Sequence, residues 1–181
     1  RRNPHIPIST PCHSTNDTLA LLEDDKIDIG LVGKPDNMRN LQFDYVEEIE
    51  DIFVATKEYL RNLHARGVSK DQILPNSTLM LLDKNNMTRQ YIDDYLQENQ
   101  IQVRDSIDIS SMDLLIDFAR IGVGVACVIK SFVKKDLADG SLMEIPLGIP
   151  IHKREVGFAY KAGTKPSKSL AAFIRFYREQ Q

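Results

Sequence analysis

Apolar positions along this chain switch repeatedly between alternate-residue spacing and helical spacing. Ile6 and Ile8 alternate with polar neighbours and predict a short strand. Ser14 or Thr15 then caps a helix running to about Glu23, with Leu19 and Leu22 on one face. The apolar run Ile27 to Gly33, bounded by turn residues, reads as a buried strand. Leu41 to Val46 and Ile52 to Ala55 predict two more strands. Residues 57–77 are polar and broken by Gly67 and Pro75, which suits a short helix and loops. Leu79 to Leu82 is a buried strand, and a helix follows from Met87 to Asn99 with Tyr91, Ile92, Tyr95 and Leu96 on one face.

The second half continues in the same way. Residues 103–109 predict a strand. Ser110-x-x-Asp113 resembles a capping box and opens a helix with Leu114, Leu115 and Phe118 inward. Gly122 to Val128 gives a turn and a buried strand, Ser131 to Leu137 a short helix ending before Gly140, and Leu142 to Ile145 a short strand. Glu155 to Tyr160 is a further strand. The last helix starts near Ser167 after Pro166, with a stripe of Leu170, Phe173, Ile174 and Tyr177. Alternation of strands and helices argues for an α/β fold with largely parallel sheets. No repeat, low-complexity segment or Gly/Ser linker divides the chain, so two lobes would have to be joined through strands.

Composition narrows the function. At 181 residues the chain is long enough for one large domain or two small lobes. The net charge is −3, so the basic excess of a nucleic-acid-binding face is missing and the chain is not expected to grip DNA itself. Cys12 and Cys127 stand far apart and outside any C-x-x-C pair, which reads as two reduced cysteines of a cytoplasmic protein. No apolar run approaches the roughly 20 residues of a membrane span. Arg1-Arg2-Asn3-Pro4-His5 lacks the apolar segment of a signal peptide, so the sequons at Asn16, Asn76 and Asn86 read as chance matches.

Motifs for catalysis fail one after another. His5, His13, His64 and His152 are scattered, with no H-E-x-x-H and no Cys/His cluster, so neither a metal nor another cofactor is expected. There is no G-x-S-x-G elbow. Gly122-x-Gly124 lacks the third glycine of a dinucleotide fingerprint, Cys127 standing in its place, and reads as a packing turn. Gly163-Thr164-Lys165 lacks the upstream glycine of a P-loop and precedes Pro166. Glu23-Asp24-Asp25 reads as a solvated helix end rather than a site for a hard metal ion. An enzyme is not expected.

Three segments in order resemble a known family. Leu19 to Val32 is similar to its helix, acidic turn and strand with I/L-D-I/L-G/A; Phe118 to Ala126 resembles V-x-x-G-x-G-I-A, with Ile129 or Lys130 near the place of a usual proline; Leu137 to Ile145 matches L-x-x-G-x-L-x-x-I/L. The chain thus resembles the effector-binding domain of LysR-type transcription regulators. The resemblance implies a type II periplasmic-binding-protein-like fold of two α/β lobes, residues 1–52 with 157–181 and residues 53–156. Two crossover strands near 50–56 and 154–161 would join them. Family members begin with a strand and a long helix ahead of the stretch matched by Pro4 to Ile8, and these are absent from this sequence.

The resemblance also implies a small effector, bound between the lobes, that controls a helix-turn-helix domain outside this chain, in a homodimer or homotetramer that meets DNA only through that domain. Helix N-termini favour anions through unpaired N–H groups and the helix dipole. The candidates are Ser14, Thr15 and Asn16; Lys84, Asn86 and Thr88, with Asn85 beside them; and Ser110, with Ser111. Each also reads as an ordinary cap. Lys34 and Arg39 read as surface. The rival readings are a transporter's solute-binding protein and a dehydratase or transferase on the same scaffold.

Overall fold

A computed structural model describes residues 5–11, 13–35, 37–38, 40–163 and 166–179. In chain order the elements are α1 (Thr15–Glu23), β1 (Gly30–Gly33), β2 (Leu41–Ile49), β3 (Asp51–Ala55), α2 (Lys57–Ala65), α3 (Ile73–Asn76) and β4 (Thr78–Leu82). They continue with α4 (Met87–Glu98), β5 (Asp105–Ile109), α5 (Met112–Arg120), β6 (Val125–Ile129), α6 (Lys134–Asp139), β7 (Met143–Glu144), β8 (Arg154–Lys161) and α7 (Lys168–Arg178). Two compact units divide the chain, Arg1–Glu47 with Glu155–Gln181, and Glu48–Arg154. The chain leaves the first unit within β2 and returns to it at the start of β8. No helix among the described residues is long and apolar enough to cross a membrane.

The first unit is built on a three-stranded sheet in the order β1-β8-β2. β1 and β8 are antiparallel, with Gly30 opposite Ala159 and Leu31 opposite Phe158. Side chains alternate across a strand. Val32 and Ala159 therefore share one face and pack on Leu22 of α1. Gly30 lies on that face too, and a Cβ there would press into the Thr18 methyl group. Phe158 points to the other face, where its ring meets Phe173 and Tyr177 of α7 edge-on at 5.2 and 5.0 Å.

The second unit holds a five-stranded sheet in the order β5-β4-β6-β3-β7. Its three central strands sort their residues by parity. Phe53, Ala55, Leu79, Leu81, Val125 and Cys127 face α2 and α4; Ile52, Val54, Met80, Leu82, Ala126 and Val128 face α5 and α6. Both faces are covered, so these strands read as continuous apolar runs. Each fully buried Leu, Val or Phe contributes about 1.5–3 kcal/mol.

Several expectations are corrected. Residues 6–8 form no strand. The segment at 27–33 is strand only from Gly30, and Leu31 is 59% exposed, because β1 buries one face rather than two. The sheets are mixed rather than largely parallel: β4 runs parallel to β5 and β6, whereas β3 is antiparallel to β6 and β7. The strand before α5 begins at Asp105, and residues 130–133 form a 3₁₀ turn ahead of α6. The inner face of α5 is Leu115, Ile116 and Ala119, while Leu114 is exposed.

The cap of α5 lies one residue later than expected. Ser111, not Ser110, is the N-cap, and its Oγ accepts from the Leu114 N–H at 3.3 Å. Ser111→Ala is expected to cost about 1 kcal/mol in urea unfolding, with Ser110→Ala near wild type. Equal losses would show that Ser110 also serves the helix end.

Candidate functional site

The expected site residues fall on three helix starts. Ser14 caps α1: its Oγ accepts from the Asp17 N–H at 3.2 Å and lies 2.7 Å from the Asp17 carboxylate, to which its O–H donates. Thr15 Oγ1 accepts from the Gly33 N–H at 3.3 Å, tying the helix start to the end of β1. Asn16 is exposed and has partners of its own. All three are in the first unit. Lys34 there pairs with Glu155, as a surface residue does. Cys12, Arg39, Thr164 and Lys165 lie outside the described residues.

The α4 start carries more chemistry. Asn86 is the N-cap, its Oδ1 accepting from the Thr88 N–H at 2.9 Å. Thr88 Oγ1 accepts from Arg154 Nη2 at 3.2 Å. Lys84 is exposed and makes no ion pair among the described residues. Behind this turn lies a polar network that sequence reasoning missed. Arg154 grips Asp51 with two parallel bonds, Nε to Oδ2 at 2.7 Å and Nη2 to Oδ1 at 3.0 Å. The Asp51 side chain has 0% exposure and that of Arg154 12%. The guanidinium also lies 5.2 Å from the centre of the Tyr91 ring, whose hydroxyl donates to the His152 carbonyl at 2.9 Å.

Arg89, one residue past Thr88, is buried as well. It donates to the Leu82 carbonyl at 2.8 Å and to the carboxylates of Asp93 at 2.8 Å and Asp108 at 2.5 Å. It fastens the first turn of α4 to the ends of β4 and β5. A sequence signal for it existed: Arg89, Ile92 and Leu96 share a helical stripe, and a cation on an apolar stripe demands partners. Asp51 likewise opens an otherwise apolar strand.

Little else in the second unit suggests reactivity. Burial pushes the Cys127 thiol well above its ordinary value, with nearby Asp51 adding to the effect, so it stays protonated and inert. Arg120 clasps Asp136 with two bonds of 2.9 and 3.0 Å, which holds that carboxyl below its usual range. Among the described residues no group of His, Cys, Asp and Glu is arranged to hold a metal ion.

A family model described as the LysR substrate binding domain matches residues 1–181. The chain belongs to this family. Its architecture is the periplasmic-binding-protein-like fold of LysR effector-binding domains, and the solved structures agree. The regulatory domain of CcmR from Synechocystis PCC6803, in complex with 2-PG, superposes with a TM-score of 0.82 at 16% identity, covering 99% of this chain and 85% of that one. The apo regulatory domain of HypT from Salmonella typhimurium gives 0.79 at 17% identity, covering 97% and 84%. The effector-binding domain of QuiR, in complex with shikimate, gives 0.74 at 18% identity, covering 93% and 80%. In sequence, this LysR domain is 20% identical over 174 residues to the HTH-type transcriptional regulator YeiE of Escherichia coli (strain K12), covering 96% of this chain. It spans 58% of that relative's length.

Proposed function

We propose that this LysR domain is the effector-sensing part of a cytoplasmic transcription regulator and that its effector is a small anionic metabolite. The binding groups would come from Ser14, Thr15 and Asn16 at α1, Lys84, Asn86 and Thr88 at α4, and Ser110 ahead of α5. The observation that carries the reading is the α4 start. Asn86 and Thr88 each use an acceptor inside the fold and keep a donor: the Asn86 Nδ2 hydrogens and the Thr88 hydroxyl hydrogen have no partner among the described residues. A helix N-terminus with spare donors, an exposed Lys84 and a favourable dipole selects a ligand rich in acceptors. The small molecules in the CcmR and QuiR complexes support a ligand of this size, and the helix-turn-helix class of YeiE supports a regulator over a transporter component.

In the intact regulator, effector binding would alter DNA binding by a helix-turn-helix domain within a homo-oligomer. It can do so only through unequal affinity for two states of the protein.

A thermal-shift screen with small carboxylates and phosphate esters tests the ligand class. A ligand at a hundred times its Kd adds about 2.7 kcal/mol of stability. Thr88→Val is expected to weaken the best hit about tenfold, roughly 1.4 kcal/mol, and Lys84→Ala to weaken it less. A panel that leaves the melting temperature unmoved, or a hit indifferent to Thr88→Val, would count against the site.

A further inference from the structure

The first unit carries a second feature that the α1 start does not use. A cavity of about 530 Å³ lies beside α7, against the sheet face opposite α1. Tyr160 of β8 and Gln42 of β2 line it from the sheet, and Ala171, Ile174, Arg175 and Arg178 from the helix. The two arginines differ. Arg178 is engaged through one nitrogen: its Nη2 donates to both carboxylate oxygens of Asp44 at 3.0 Å and to the Tyr160 hydroxyl oxygen at 3.3 Å. The Tyr160 hydroxyl in turn donates to Asp44 Oδ2 at 3.2 Å, so these three groups form a closed, electrically neutral set. Arg175 makes no ion pair and no side-chain hydrogen bond among the described residues, and neither does the Gln42 amide.

An apolar wall that ends at a guanidinium with no partner among the described residues has a definite chemical preference. Guanidinium offers five N–H donors in a flat fork and no acceptor. That fork matches a carboxylate with two parallel bonds, which makes it more selective than a point charge. Ala171, Ile174 and the Tyr160 ring supply contact for an apolar body, and Gln42 supplies an amide for one further hydrogen bond. Glu179, one turn beyond Arg175, lines the same cavity without pairing with it and would oppose an anion. Lys161, also in the lining, is held by Asp25 at 2.6 Å.

We propose that this cavity is a ligand site within the first unit for a small organic anion with an apolar body, its carboxylate seated on Arg175. The site shares no residue with the α1, α4 and α5 starts, and it stands or falls independently of the effector reading. The bland alternative is a solvated arginine in the last turn of a helix, where the dipole favours a cation.

Titration of the 181-residue chain with hexanoate, followed by amide NMR shifts, separates the two, with hexan-1-ol as the neutral match. Hexanoate is expected to shift residues of α7 and the neighbourhood of Tyr160, and hexan-1-ol is not. Arg175→Gln is expected to weaken hexanoate at least about tenfold, Glu179→Gln to tighten it, and Thr88→Val to leave it unchanged. Arg175 is exposed, so its variant should keep the wild-type spectrum in the absence of ligand. The proposal is overturned if millimolar hexanoate causes no shifts there, if hexan-1-ol binds as well, or if Arg175→Gln binds hexanoate like wild type.

Discussion

Asp51→Ala is expected to destabilise the second unit by about 3–5 kcal/mol, the cost of leaving a buried charge without its counter-ion. The Asp51 carboxylate is closed to solvent, and Arg154 is nearly so. Without Asp51, the guanidinium keeps, among the described residues, the Thr88 hydroxyl as an acceptor and the Tyr91 ring as a neighbour. Asp51→Asn should cost less, because one acceptor oxygen remains in place. The double variant Asp51→Leu with Arg154→Met should recover most of the loss, since buried ion pairs often exchange for apolar pairs of similar volume without penalty. Urea unfolding of these variants, with the single variants Asp51→Leu and Arg154→Met completing a double-mutant cycle, checks this. A loss below about 1 kcal/mol for Asp51→Ala would mean that water reaches Arg154 and that the pair behaves like a surface bridge. The same variants bear on ligand binding, because Arg154 fixes which lone pair of Thr88 is occupied and so which way its hydrogen can point.

That pair also marks where sequence reading stopped. Periodicity reports how one segment is buried, and it located β3, β4 and β6 because both of their faces are covered. It started α1 at Ser14 or Thr15, of which Ser14 is the cap, and α4 at Met87, directly after its cap Asn86, because a capping oxygen sits beside the turn it serves. It failed where burial was partial. Leu31 looks like core in a run of apolar residues, yet the outer face of β1 leaves it exposed. It failed at Ile6 and Ile8, whose short alternation finds no partner strand among the described residues. Asp51 and Arg154 are 103 residues apart, and no local pattern connects them; only the fold brings them together. Of the candidate site, the residues were legible as helix starts. Their hydrogen bonds were not: Ser14 is absorbed by capping, and Thr15 ties α1 to Gly33. Whether Asn86 and Thr88 keep donors free depends on partners that only the fold supplies.

Gly124→Ala is expected to cost about 3 kcal/mol, at the upper end for overpacking a rigid interior. Gly124 leads into β6, which runs parallel to β4 with Val125 opposite Leu79. A Cβ at position 124 would lie well inside contact distance of the Thr78 carbonyl oxygen, a backbone atom at the start of β4. A side chain in the way could rotate; a carbonyl held in a parallel ladder on both sides cannot. Thr78→Ala should therefore give no rescue. Gly140 supplies the control. Its φ of +77° strains any L-residue, but nothing lies within 4 Å of its absent Cβ, so Gly140→Ala should cost only about 1 kcal/mol. Gly122 falls between them, with the same φ and Thr56 Oγ1 at 3.2 Å from its absent Cβ. Melting temperatures for the three alanine variants should then rank 124 lowest, 122 next and 140 highest. This order assigns Gly122-x-Gly124 to strand packing rather than to a phosphate cradle, since a cradle would place its close contact at a ligand and leave the ligand-free stability nearly intact. If Gly124→Ala melts no lower than Gly140→Ala, the β4–β6 ladder yields at its mouth, and the need for glycine at 124 must come from something that binds there.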